Sequence, residues 1–220
     1  MKTIKTLLAT AVAATTFAAP AVMAEVSGSV SVASTYLWRG VDLGSGTPAV
    51  SGDLSYSAAG AYVGVWGSSG DTAAGTEYDL YAGYGMEIND ILSFDISVWN
   101  YNYPTGAGYT DGETDFGDLT DVILTVGVGP ISFSYYEPVA TDGGGYEYNY
   151  YTLSGGYGAF SLTIGMHDYE DDDATHVNVD YAFNDNLTFT LSQFTDADDA
   201  EFAGDDGDLK FVVSYSLPIQ

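Results

Sequence analysis

Apolar and polar residues alternate with a period of two through most of this chain. In one stretch, Leu92, Phe94, Ile96 and Val98 are interleaved with Ser93, Asp95 and Ser97. In another, Phe160, Leu162, Ile164 and Met166 are interleaved with Ser161, Thr163 and His167. Successive side chains of a strand point to opposite faces, so each segment has one oily and one wet face. The pattern predicts strands at 26–39, 49–57, 61–68, 77–86, 91–103, 118–128, 131–137, 146–154, 160–167, 176–183, 187–194 and 209–217. The segments at 61–68 and 146–154 leave the choice of face open, because aromatic or aliphatic residues fall on both parities.

The connections alternate in length. Ala58-Ala59-Gly60, Asn89-Asp90, Gly129-Pro130, the 155–158 return and Asn184-Asp185-Asn186 are tight turns. Between them lie longer loops at 40–47, 69–75, 104–117, 138–145, 168–173 and 196–208. Two architectures share such a beat. A soluble sandwich buries the oily faces against each other, whereas a membrane barrel turns them to lipid and keeps the polar faces inside. The oily parity of the clear strands carries almost no charge. That favours the barrel, where a cation at mid-depth on the lipid face costs about 2–4 kcal/mol. The fold class predicted is all-β: an antiparallel up-and-down transmembrane β-barrel of about twelve strands. Tyr36 and Trp38 then belong to the outer aromatic girdle, and Tyr56, Tyr181 and Phe183 to the inner one.

Residues 1–24 read as a cleaved signal peptide: Lys2 and Lys5, an apolar run to Phe17, Pro20, then Val22-Met23-Ala24. The barrel occupies 25–220. Both ends of it fall on the periplasmic side, with the long loops outside. The chain has no cysteine, hence neither disulfides nor thiolate metal sites. Its formal net charge of −27 excludes nucleic acid as a partner, since such partners need basic footprints. Past the leader, Arg39 and Lys210 are the only strong cations against 31 carboxylates.

Ser34-Thr35-Tyr36-Leu37-Trp38-Arg39-Gly40, Pro48-Ala49-Val50, Tyr62-Val63-Gly64-Val65-Trp66-Gly67-Ser68 and Glu77-Tyr78-Asp79-Leu80-Tyr81-Ala82-Gly83-Tyr84 follow one another in order. This series resembles the TorF porin family of exported bacterial proteins, most closely over residues 27–103 and through pattern and length beyond. The resemblance implies an outer-membrane barrel for passive transport. The C-terminus departs from many outer-membrane proteins, which end in an aromatic residue read by the barrel assembly machinery. Here the end is Leu217-Pro218-Ile219-Gln220, with Tyr215 as the stand-in.

Parity places Asp53, Glu77, Asp79, Asp95, Asp121 and Asp180 on the wet face. They either hydrogen-bond across strands and to tyrosines in a filled lumen, or line an acidic passage that favours cations. Arg39 and Lys210 fall at the outer ends of the first and last strands, which are neighbours if the barrel closes. There they form a seam salt-bridge network or one side of a constriction. The acidic loops lack EF-hand spacing and suit loose divalent binding, or bridging to lipopolysaccharide. His167 and His176 flank one loop on the wet parity, as a hydrogen-bonded pair or a metal chelate. No Gly-x-Ser-x-Gly, His-Glu-x-x-His or phosphate-loop motif is present, so neither catalysis nor a cofactor is expected. The expectation is an outer-membrane passage for small hydrophilic solutes, cation-preferring, in contact with lipid and lipopolysaccharide. The alternative is a closed-lumen structural barrel acting through its acidic loops.

Overall fold

A computed structural model describes residues 24–104, 116–117, 119–140, 148–169, 173–197 and 207–219. The leader up to residue 23, and most of the loops at 104–117, 138–145, 168–173 and 196–208, lie outside the described residues. Twelve antiparallel strands close into a barrel. They are β1 (Glu25–Ala33), β4 (Ala49–Ala58), β5 (Ala61–Asp71), β6 (Gly75–Glu87), β7 (Leu92–Asn102) and β8 (Leu119–Val128). The second half comprises β9 (Ile131–Ala140), β10 (Tyr148–Tyr157), β11 (Phe160–Tyr169), β12 (Asp173–Ala182), β13 (Leu187–Ala197) and β14 (Lys210–Ile219). Two short strands, β2 (Leu37–Trp38) and β3 (Val41–Asp42), pair only with each other.

Each barrel strand pairs with its sequence neighbours, and β1 closes the ring on β14 through pairs such as Val30↔Leu217 and Val32↔Tyr215. Closure matters because an open edge would leave amides unsatisfied in hydrocarbon. The oily parity faces out. Leu162 keeps 43 % of its surface while Ser161 beside it keeps 9 %. The two undecided strands now settle: Val63 and Val65 point outward and Trp66 lines the lumen, while Leu153 is exposed and Tyr150 buried. Tyr56, Tyr181 and Phe183 are exposed near the short turns. At the first of those turns, Ala59 and Gly60 sit at φ of 51° and 87° and join Ala58 to its partner Ala61. That is the primed two-residue hairpin whose twist matches the strands.

Among the described residues, buried apolar side chains gather inside the lumen. Val41, Ala174 and Phe194 form a cluster joined by Trp38 and Leu43. The strand register is broken between Ser68 and Asp71, between Thr120 and Asp121, and between Thr175 and His176. All three irregularities lie toward the long-loop end. Bulges of this kind re-aim side chains beside functional sites.

Candidate functional site

The chain leaves the sheet earlier than its apolar pattern suggests. Ser34 makes a last exchange with β14, its N–H donating to the Val213 carbonyl at 2.9 Å and its hydroxyl accepting from the Val213 N–H at 3.0 Å. The backbone then turns into the lumen as the β2–β3 hairpin, with Leu37 opposite Asp42 and Trp38 opposite Val41. Its two-residue turn is Arg39-Gly40, at φ of 47° and 85°. Both angles suit a primed turn, and the left-handed arginine costs about 1–2 kcal/mol that its contacts must offset. The Tyr36 carbonyl accepts from the Leu43 N–H at 2.8 Å, and Thr72 donates through both its N–H and its hydroxyl to the Leu43 carbonyl at 3.0 Å. These bonds fix the hairpin to the β5–β6 connection.

Two expectations are corrected here. The first strand ends at Ala33, not Arg39, and the 40–47 segment starts as the return of an in-folded hairpin, with only 45–47 exposed as a loop. Tyr36 and Trp38 are therefore not girdle residues. Tyr36 is 4 % exposed, its hydroxyl bonded to Glu77 on the lumen wall. The reason is burial: the apolar side chains of this segment find a better partner in Ala174 and Phe194 than in lipid.

The hairpin crosses the barrel. It springs from β1 and β4, and its tip reaches β8, β9 and β10 on the far side of the ring. There Arg39 Nη2 donates to Asp121 Oδ2 at 2.7 Å, and Nη1 to the Tyr148 hydroxyl at 3.1 Å. The guanidinium carbon lies 4.5 Å from the Trp38 ring centre and 4.7 Å from those of Tyr136 and Tyr150. An arginine so placed is held by its charged bond and by the ring faces together. The structure thus pairs Arg39 across the lumen and not at the seam. Lys210 stays on β14, its ammonium 5.9 Å from the Phe194 ring centre.

The two histidines complete the joint. His167 Nε2 lies 2.8 Å from the Arg39 carbonyl, which can only accept, so Nε2 carries the proton and Nδ1 accepts from Tyr148 at 3.0 Å. A hydrogen-bond circuit results, from the Arg39 side chain through Tyr148 and His167 back to the Arg39 backbone. His176 donates from Nδ1 to Asn178 at 3.1 Å and accepts from Tyr150 at 2.7 Å. A Cβ on Gly40 would lie 2.5 Å from His176 Cγ. Gly40→Ala is accordingly expected to combine left-handed strain with a clash. It should destabilise the barrel by about 2 kcal/mol or more, read as a lower unfolding midpoint in lipid vesicles.

The carboxylates divide into two levels. Toward the long loops, Glu77 accepts from Tyr36 at 2.7 Å and from Tyr103 at 2.9 Å. Burial first, and the Glu77 charge second, hold the Tyr103 phenol well above its ordinary value, so it stays a donor. On the same strand Asp79 is 3 % exposed, and its Oδ1 has no hydrogen-bond partner. Closer to the turns, each carboxylate has a wall partner. Tyr81 donates to Asp53 at 2.6 Å, Tyr62 to Asp95 at 3.0 Å, and Thr190 and Ser161 to Asp180 at 2.6 and 3.3 Å. Beneath the hairpin lies a cavity of about 440 Å³. Its roof includes Arg39 and Trp38; its walls carry Ser97, Thr125, Ser134 and Thr163, and it extends to the turn residues Gly129 and Pro130.

All six carboxylates thus face the lumen, and only Asp121 meets Arg39 in an ion pair. Sequence reasoning missed Tyr136, Tyr148 and Tyr150. The signal was present as tyrosines on the parity otherwise held by Ser134 and Thr152, where a large ring needs an occupant of the lumen to pack on.

Among curated proteins no sequence matches this one. Among solved structures the chain is similar to the KdgM porin, at 7 % identity over 89 % of this chain and 99 % of that one, with a TM-score of 0.47. A variant of OccD1 (OprD) is 11 % identical over 88 % of this chain and 66 % of that one, TM-score 0.43. A chain solved under the description "Unveiling the Mechanism Behind the in-meso Crystallization of Membrane Proteins" is 12 % identical over 88 % and 83 %, with a TM-score of 0.55. That last likeness shows a shared fold and nothing more. A family model described as "Bacterial protein of unknown function (Gcw_chp)" matches residues 17–204. As the match takes in most of its length, the chain belongs to the Gcw_chp family of bacterial proteins.

Proposed function

We propose that the protein is an outer-membrane channel for small hydrophilic solutes, preferring cations, with the β2–β3 hairpin as its constriction. One observation carries this reading. A cavity of about 440 Å³, walled by hydroxyls and bordered by Asp95, lies inside a closed barrel whose outer surface is apolar. A polar space enclosed by an oily wall serves a solute that crosses, and inward carboxylates raise the local cation concentration. The resemblance to TorF porins agrees with it, as does the predicted export leader.

In planar bilayers the folded protein is expected to give discrete conductance that grows with salt. A potassium chloride gradient should give a reversal potential of the sign for cation preference. The opposite sign would remove the cation preference, and silence from a barrel that shows a folded-versus-boiled gel shift would remove the channel. A second reading has one observation of its own. Arg39 is 7 % exposed and paired, which suits a lumen kept shut in a structural barrel whose acidic loops meet the surroundings. The same recordings decide between the two.

A further inference from the structure

We propose that Arg39 fills, as a built-in occupant, a wall site that recognises guanidinium-bearing solutes, and that such solutes compete with the hairpin for it. This deepens the channel reading, on which its role in transport rests, by naming a solute class. The site belongs to the barrel wall: Asp121 on β8, Tyr136 on β9 and Tyr148 and Tyr150 on β10. Tyr136 and Tyr150 are cross-strand partners with ring centres 5.1 Å apart.

Most of these groups are held independently of the arginine side chain. Tyr101 donates to Asp121 at 3.1 Å, and His176 fixes the Tyr150 hydroxyl at 2.7 Å. Tyr148 is held by His167 at 3.0 Å and stacks on Tyr169 at 4.6 Å. A carboxylate beside three aromatic faces is the environment a planar, weakly hydrated cation selects, and an ammonium fits its fork less well. Tyr136 and Tyr150 also border the cavity, so a solute in the lumen reaches the site. The guest, by contrast, sits on a two-residue turn at a left-handed φ of 47°. It is tethered to a hairpin of two residue pairs, a latch and not a wall. Asp79, 3 % exposed with Oδ1 unpartnered, offers a second acceptor to a longer solute.

The test uses ethylguanidinium chloride, which copies the end of the arginine side chain, on detergent-folded full barrel carrying Arg39→Ala. Saturable binding by calorimetry is expected, weakened about tenfold or more when Asp121→Asn is added. Potassium chloride at equal ionic strength should not compete. No binding to a folded Arg39→Ala barrel, or binding indifferent to Asp121→Asn, overturns the site. Where Arg39→Ala does not fold alone, ethylguanidinium in the refolding buffer should restore the heat-modifiable band and potassium chloride should not. Failure of that rescue also overturns it. Binding is read without current, so a silent barrel that binds ethylguanidinium retires the channel and keeps the site.

Discussion

Asp121→Ala is expected to lower the unfolding free energy of the barrel by about 3–5 kcal/mol, because it strands a buried guanidinium. Arg39 has its short charged bond to Asp121 and a longer neutral one to Tyr148, and its side chain is nearly sealed from water. A buried ion pair adds little net stability over an apolar replacement, yet removing one partner leaves the other charge uncompensated. The asymmetry gives the experiment its signature. The double variant Arg39→Ala with Asp121→Ala should lose less than the two single losses together, since the groups act as a unit. Urea unfolding in lipid vesicles, followed by tryptophan fluorescence, reads both quantities. Conductance supplies the functional counterpart: with its tip unlatched, the hairpin no longer holds the lumen divided, and the unitary current should rise. Additive losses, or a cost of under about 1 kcal/mol for Asp121→Ala, would show a guanidinium that water reaches.

The strands were legible in the sequence because lipid and lumen impose their demands locally, one residue at a time. Phe160, Leu162, Ile164 and Met166 had to face the same way whatever lay elsewhere in the chain. The same parity put every candidate carboxylate on the correct side of the wall. Parity failed where the lumen itself carries aromatics. Tyr62 bonds Asp95 from inside while Tyr84, the cross-strand partner of the adjacent Ala61, stays exposed, and hydropathy does not separate them. The hairpin was illegible for a related reason. Tyr36 and Trp38 extend the apolar parity of β1, so a local reading carries the strand on to Arg39. What draws the segment inward is Ala174 on β12, Phe194 on β13 and Asp121 on β8, all far away in sequence. Arg39-Gly40 also lacks the Asn-Gly or Asp-Gly signature that marks a primed turn. The partners of the carboxylates stayed hidden because register between strands is a tertiary quantity.

Ile164→Arg and Thr163→Arg, neighbours on β11, should behave as though they belonged to different solvents. Ile164 points outward near the middle of its strand, between its partners Leu153 and Val177, and keeps 39 % of its surface. An arginine there enters the hydrocarbon at mid-depth, at a cost of about 2–4 kcal/mol in a bilayer. Thr163 borders the cavity, with Asp180 two residues along the paired strand from its partner Asn178. An arginine there has room, a carboxylate within side-chain reach and water beside it, and it should cost no more than about 1 kcal/mol. Its effect should fall on selectivity, moving the reversal potential toward anions as a positive charge joins the acidic wall. Urea unfolding in vesicles reads the stability difference, and a salt-gradient recording reads the selectivity. The pair separates two physical claims that the fold alone leaves joined. A costly Ile164→Arg with an unmoved reversal potential in Thr163→Arg would describe a barrel that meets lipid yet carries no ions past β11. The opposite order of stabilities would mean that the apolar parity is not where hydrocarbon lies, and the carboxylates would then lose their place on a conducting wall.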